Sequence, residues 1–193
     1  MLRPNLVCSR RSPAIILLVK LPQLENQSHT APWYADGLHF GCSQCGNCCT
    51  GGPGYVWISH EEITRLARHL NLSRDATLHR YCRRVNEGIS LKEHRNHRGE
   101  YDCTFLKEIE ATRDVEGQSV RYTKRICTIY EVRPLQCRTW PFWDGNLSSQ
   151  RAWQSAAKRC PGMRNQTGKT WTFDQIESLR TATDWPKKAP GSE

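Results

Sequence analysis

The sequence is poor in aliphatic filling: hydrophobic residues make up only 37% of its 193 positions, and mean hydropathy is −0.70. A chain of this length can bury a core, but with so few apolar groups burial alone leaves a thin margin. A crosslink by metal or disulfide is expected to supply the rest. Long hydrophobic runs are absent too. Ala14-Ile15-Ile16-Leu17-Leu18-Val19, behind a basic start, resembles the opening of a signal peptide, yet Lys20 cuts the run at six residues. That is far below the roughly 20 of a membrane span, and no clear small-x-small cleavage site follows. There is no Gly-x-Gly-x-x-Gly, no nucleophile elbow and no paired-carboxylate motif. Gly51-Gly52-Pro53-Gly54 lacks the lysine of a phosphate-binding loop, and His60-Glu61-x-x-Thr64 lacks the second histidine of a zinc protease helix. Acids are scarce as well, 19 against 28 Lys and Arg, which gives a net charge of +9. No Lys/Arg run exceeds two residues, so that charge is spread rather than gathered into a nucleic-acid stripe.

What the chain does have is aromatic carbon and sulfur. Seven Trp, six Tyr and four Phe predict a core of a few large rings. Ten cysteines raise the question of redox compartment. Residues 1–31 read as a flexible tail or a mis-started leader, and a reducing cytoplasm then favours ligated thiols over disulfides. Four disulfides in a secreted domain are the alternative. A four-thiolate zinc site or [4Fe-4S] cluster carries roughly two negative charges, so two such sites would bring the net charge to about +5. Arg133, Arg138 and Arg159, each close in sequence to a cysteine, are the expected neutralisers.

The local patterns predict a mainly α domain with short strands, irregular around its metal, over 32–185, with a C-terminal tail at 186–193. Trp33 to Phe40 reads as extended, and Tyr55 to Ile58 as a short strand. Ser59 and Glu62 form a capping box for a helix over 60–70, with Ile63, Leu66, Ala67 and Leu70 on one face. Ser73 starts a second helix through about Val85, followed from Asn86 to Gly99 by a polar loop with room for one short strand. Strands over 101–105 and 119–122 flank Glu116-Gly117 as a possible hairpin. Pro134 and Pro141 bar one continuous helix between Cys127 and Trp143. Ser148 or Ser149 caps a helix to Lys158, and Thr172 with Gln175 caps another to Arg180.

Eight cysteines carry the chemistry. Cys42-x2-Cys45-x2-Cys48-Cys49 places four thiols in eight residues, and Cys103, Cys127, Cys137 and Cys160 follow singly. A Cys-x2-Cys pair turns two sulfurs toward one metal. The triple rhythm of Cys42, Cys45 and Cys48, with a distant Cys160-Pro161, parallels the ligand spacing of bacterial [4Fe-4S] ferredoxins. Adjacent residues seldom aim side chains at one point, so Cys48 and Cys49 point to two sites, or to a ligand beside a supporting thiol. Eight thiols divide into four and four, and spacing leaves the division open. Arg133 and Arg138 could hold an anionic substrate or donate to cluster sulfurs, or pair with Glu131 and Asp144. Tyr130, Trp140, Phe142 and Trp143 are expected to pack around the site. His94 and His97 read as a solvated loop, Cys82 as a small buried hydrophobe, and the Gly51–Gly54 turn as a source of backbone N–H groups near the thiolates.

The pattern Cys-x2-Cys-x2-Cys-Cys, Cys103 before Phe105-Leu106, Cys127-x2-Tyr130-x2-Arg133-Pro134-x2-Cys137-Arg138-x2-Pro141-Phe142 and then Cys160 resembles the YkgJ-type cysteine cluster family, a zinc- or iron-chelating domain. The resemblance covers about 40–162. It implies metal or iron-sulfur binding by Cys42, Cys45, Cys48, Cys49, Cys103, Cys127, Cys137 and Cys160, and members carry an Fe-S oxidoreductase label. A related cluster in flagellin lysine methylases keeps methyl transfer in view. The resulting expectation is a cytoplasmic protein that holds an iron-sulfur cluster, [4Fe-4S] first, with zinc or mononuclear iron as alternatives. It would serve a redox partner, without a membrane span. A structural-zinc module that binds nucleic acid or a protein is the competing class.

Overall fold

The computed structural model describes residues 31–164 and 168–182. The tails expected at 1–31 and 186–193 therefore lie, but for Ala31, outside the described residues. Among the described residues no helix is long and apolar enough to cross a membrane. The chain opens on β1 (Leu38–Phe40), passes through a 3-10 turn at Asn47–Cys49 and pairs briefly as β2 (Thr50–Gly51). Two helices follow, α1 (His60–His69) and α2 (Arg74–Tyr81), then a run of short strands: β3 (Cys82–Val85), β4 (Gly88–Leu91), β5 (Glu93–Arg95) and β6 (Tyr101–Cys103). A long hairpin, β7 (Leu106–Val115) and β8 (Gln118–Cys127), precedes a 3-10 turn at Tyr130–Val132. The rest is α3 (Leu135–Thr139), α4 (Asp144–Leu147), α5 (Gln150–Arg159), α6 (Pro161–Arg164), β9 (Lys169–Trp171) and α7 (Phe173–Thr181).

A mainly α fold is therefore incorrect: the described residues are about 38% helix and 29% strand, a mixed α+β domain. The error sits between residues 82 and 127. Helix α2 stops at Tyr81 because Cys82 turns extended (φ −118°, ψ 156°) and pairs with Leu91. Asn86, at φ 51°, makes the two-residue turn to Gly88, where a side chain would strike the Trp57 ring at 2.7 Å. The supposed loop after it is two strands, and β6 runs between β2 and β5 in one antiparallel sheet. A hairpin does turn at Glu116-Gly117, ten pairs long from Leu106↔Cys127 to Val115↔Gln118, but its first arm is β7 and not the strand expected over 101–105, whose Tyr101–Cys103 pairs with β2 and β5 instead. The strand expected at Tyr55 to Ile58 is reduced to one bridge, Trp57↔Ser90.

Local signals hold for the helices. Ser59 and Glu62 form both halves of the capping box on α1, and Thr172 and Gln175 do so on α7. Ser149, rather than Ser148, accepts from Ala152 N–H at the start of α5. Two hydrophobic clusters result. One is aromatic: Tyr34, Phe40, Phe142 and Trp153 with Leu147, Met163 and Ile176. Its rings meet at 5.8 Å edge-on for Phe40–Phe142 and 5.9 Å stacked for Phe142–Trp153, the geometries ring quadrupoles prefer. The other packs Ile63 and Leu66 of α1 against Ile58, Leu91, Phe105 and Ile129.

Candidate metal centre

A cavity of about 50 Å³ has Phe40 and Cys160 from the aromatic cluster on its walls together with Leu91 and Ile129 from the second. All eight cysteines line it: Cys42, Cys45, Cys48, Cys49, Cys103, Cys127, Cys137 and Cys160. A second cavity, of about 200 Å³, shares Cys48, Cys49, Cys103, Cys137, Leu91 and Trp140 with the first and extends past Val56, Glu93 and Trp143. Every described cysteine is a free thiol. Among the described residues no three Cys, His, Asp or Glu side chains converge closely enough, as placed, to hold an ion. The fold thus gathers the donors without fixing which of them share one.

Separate elements bring each thiol in. The 3-10 turn follows Gly46, whose φ of 73° suits glycine, and it sets the Cys48 and Cys49 sulfurs 3.9 Å apart. Pairing of Thr50 with Asp102 makes Cys49 and Cys103 the next opposed residues. Cys127 ends β8 opposite Leu106. Cys137 rides on α3, whose Gln136 accepts from Trp57 N–H at 2.6 Å and donates to the Tyr55 carbonyl at 3.1 Å. Cys160 caps α5. Its neighbourhood is bound to the first cysteine loop by Gly41 N–H donating to the Gly162 carbonyl at 3.1 Å and by Asn47 Nδ2 donating to the Arg159 carbonyl at 2.6 Å.

Burial dominates the thiol chemistry. It pushes Cys103 up to about 11 and raises Cys127, Cys137 and Cys160, because a thiolate loses its hydration there. Cys48 goes the other way: the hydrogen bond shared with Cys49 brings it down to about 7, with Arg133 and Arg125 assisting, while the same bond and burial raise Cys49. A bound cation reverses the cost of burial, since thiols ligate as thiolates. One buried donor fits that reversal. Trp140 Nε1–H has no acceptor at hydrogen-bond distance, yet it acts on Cys160 to favour the thiolate. A sulfur held as thiolate would supply the missing acceptor. The donor set and this unmatched N–H fit a thiophilic metal.

Of the two arginines singled out, Arg133 lines the cavity. Its guanidinium lies 3.5 Å from the Tyr130 ring centroid and its Nε donates to the Tyr130 carbonyl at 2.7 Å. Arg138 is not on the cavity wall; it donates to the Arg133 carbonyl and stands 3.7 Å from Glu62. Neither pairs with Asp144, which binds Arg180 at 2.9 Å. Gly54 N–H reaches the Glu93 carboxylate at 3.1 Å rather than a thiol. His94 and His97 border a separate open polar cavity with Asp102 and Glu108. Sequence reasoning missed Arg125, which donates to Asn47 Oδ1 beside Cys48. The signal was available, because Arg125 lies two residues before Cys127 and so shares its face of a strand.

Fold and cavity together define a thiol-rich, metal-chelating domain. A match over residues 41–161 places the chain in the CxxCxxCC family, described as a zinc- or iron-chelating domain. It is also similar to an uncharacterized protein of Methanocaldococcus jannaschii, 31% identical over 110 residues, 56% of this chain and 48% of the relative. The chain thus spans about half the length of that curated relative. No solved structure matches.

Proposed function

We propose that this protein is an iron-sulfur carrier that passes single electrons between a donor and an acceptor protein. One observation carries the reading: eight thiols from one loop, two strand ends and two helices line a single cavity with Phe40, Ile129, Leu91 and Pro134 beside them. The triple spacing of the first cysteines and Cys160-Pro161 favour iron-sulfur over zinc alone. A bound cluster supplies a one-electron couple and nothing else, so no bond on the chain is made or broken. The chain's own residues give the thiols an apolar wall on one side, while Cys42 and Cys48 stay open to solvent. They place positive charge beside it through Arg133 and Arg125, and they offer the Trp140 N–H to sulfur, which raises a cluster's potential.

Protein made and purified without oxygen should be brown, carry acid-labile sulfide in proportion to its iron, and bleach on dithionite. Colourless protein with stoichiometric zinc overturns the iron-sulfur reading and returns a structural-zinc module.

A further inference from the structure

The eight thiols are not equivalent in the fold. Cys48, Cys49, Cys103 and Cys137 face both cavities, whereas Cys42, Cys45, Cys127 and Cys160 face the first only. The backbone draws the same line. Pairing of Thr50 with Asp102 at the end of β2 leaves Cys49 and Cys103 as the neighbouring residues on the two chains. The Gly41–Gly162 hydrogen bond holds the loop of Cys42 against the end of Cys160. Tyr130, three residues after Cys127, lines the first cavity with Cys42 and Cys127 and is absent from the second. Cys127 lines the first cavity and not the second, which assigns it to the set of Cys42, Cys45 and Cys160.

The two sets differ in kind. Four thiolates at about 2.3 Å from one tetrahedral ion stand about 3.8 Å apart, and Cys48 and Cys49 are 3.9 Å apart. Spacing alone argues against one site for the two neighbours, but the 3-10 turn brings their sulfurs to a separation that suits two corners of a single-ion tetrahedron. The other set takes Cys127 in place of Cys48, so of the ferredoxin-like spacing on which the iron-sulfur reading leans it keeps three positions, Cys42, Cys45 and Cys160. We propose that Cys48, Cys49, Cys103 and Cys137 form one centre for a single tetrahedral zinc or iron ion, and that Cys42, Cys45, Cys127 and Cys160 form a second, separate centre for the cluster. The assignment of the cluster rests on the function proposed above; the division into two centres does not.

The test compares full-length wild type with Cys49→Ala and Cys45→Ala, all made without oxygen, by metal analysis and acid-labile sulfide on the same samples. Wild type should contain sulfide-bound iron plus one further ion. Cys49→Ala should lose that ion and keep its sulfide and visible absorption, while Cys45→Ala should lose sulfide and keep one ion. Loss of everything from both folded variants, or loss of the same fraction of each species, overturns the division. Should either variant fail to fold, removal of metal from wild type by a chelator serves instead. Two separable phases, one without bleaching, are expected, and one concerted phase overturns the proposal. Two zinc ions and no sulfide in wild type, with one ion lost per variant, would uphold two centres while overturning the iron-sulfur reading.

Discussion

Glu62 joins a helix start to the cysteine site through one buried carboxylate. Its side chain closes the capping box on Ser59 N–H at 2.9 Å and accepts from Leu135 N–H at 2.6 Å, so α1 fixes the start of α3 and hence Cys137. Glu62→Ala strips the Ser59 and half-buried Leu135 N–H groups of their acceptor and should cost about 1–3 kcal/mol, read as a lower denaturation midpoint in urea. Gly162 is equally constrained, since a Cβ there would lie 2.1 Å from the Gly41 carbonyl oxygen. Backbone on both sides has to shift, so Gly162→Ala should cost about 1–3 kcal/mol, and metal bound at Cys42 and Cys160 should fall with it. Cys82 provides the contrast. It is 6% exposed in the second cluster and off both cavities, so Cys82→Ala should shift the melting temperature by far less than Cys45→Ala, which forfeits metal-linked folding energy. Equal shifts would contradict the separation of ligands from bystander.

At the scale of elements, what could be read from the sequence was what is local. The Ser59/Glu62 and Thr172/Gln175 boxes lie within one turn of the helices they start, and both are present. Strands β3 and β4 were hidden because Cys82 and Val85 continue the helical spacing of Leu78 and Tyr81. What ends the helix is tertiary: Cys82 fills the second cluster and Lys92 N–H binds the Tyr81 carbonyl at 2.7 Å. Strand β1 is three residues long and finds its partner β9 across 131 residues, as the Trp171–Phe40 bond shows, a pairing that no window of sequence contains. The site divides in the same way. Residue type and spacing mark the eight cysteines, but which wall each thiol faces depends on register and helix packing. The long hairpin is amphipathic by register, with Ile109, Val115, Val120 and Tyr122 on one face, each about 40% exposed. Little packs on that face, so Ile109→Thr should change stability by no more than about 0.5 kcal/mol and leave metal content intact. Helix α7 responds to acid instead. Arg180 hydrogen-bonds the Glu177 carboxylate at 2.7 Å and holds it below its usual value of 4.5. A lowered carboxyl stabilises the fold above its ordinary value and ceases to do so as pH falls through it. Acid unfolding of wild type and Glu177→Gln should therefore diverge most above the ordinary carboxyl value of 4.5 and converge as pH falls below it; parallel curves would remove Glu177 from the acid response.

For the molecule as a whole, metal is expected to substitute for missing hydrophobic mass. A structural thiolate site contributes roughly 10–16 kcal/mol of apparent binding energy, as much as the entire 5–15 kcal/mol stability of an ordinary domain. Stripping metal with a chelator under reducing conditions should abolish near-ultraviolet circular dichroism and open the chain to limited proteolysis; a chelated protein that keeps both would show that the two clusters suffice alone. The bond from Asn47 to the Arg159 carbonyl spans 112 residues, and it brings a temporal consequence. During synthesis the first four thiols emerge long before Cys160, so a nascent chain can hold metal only partially or wrongly until α5 has left the ribosome. Complete loading is then a record that translation has passed residue 160, and a chain cut short upstream would be distinguished from a finished one by what it fails to retain.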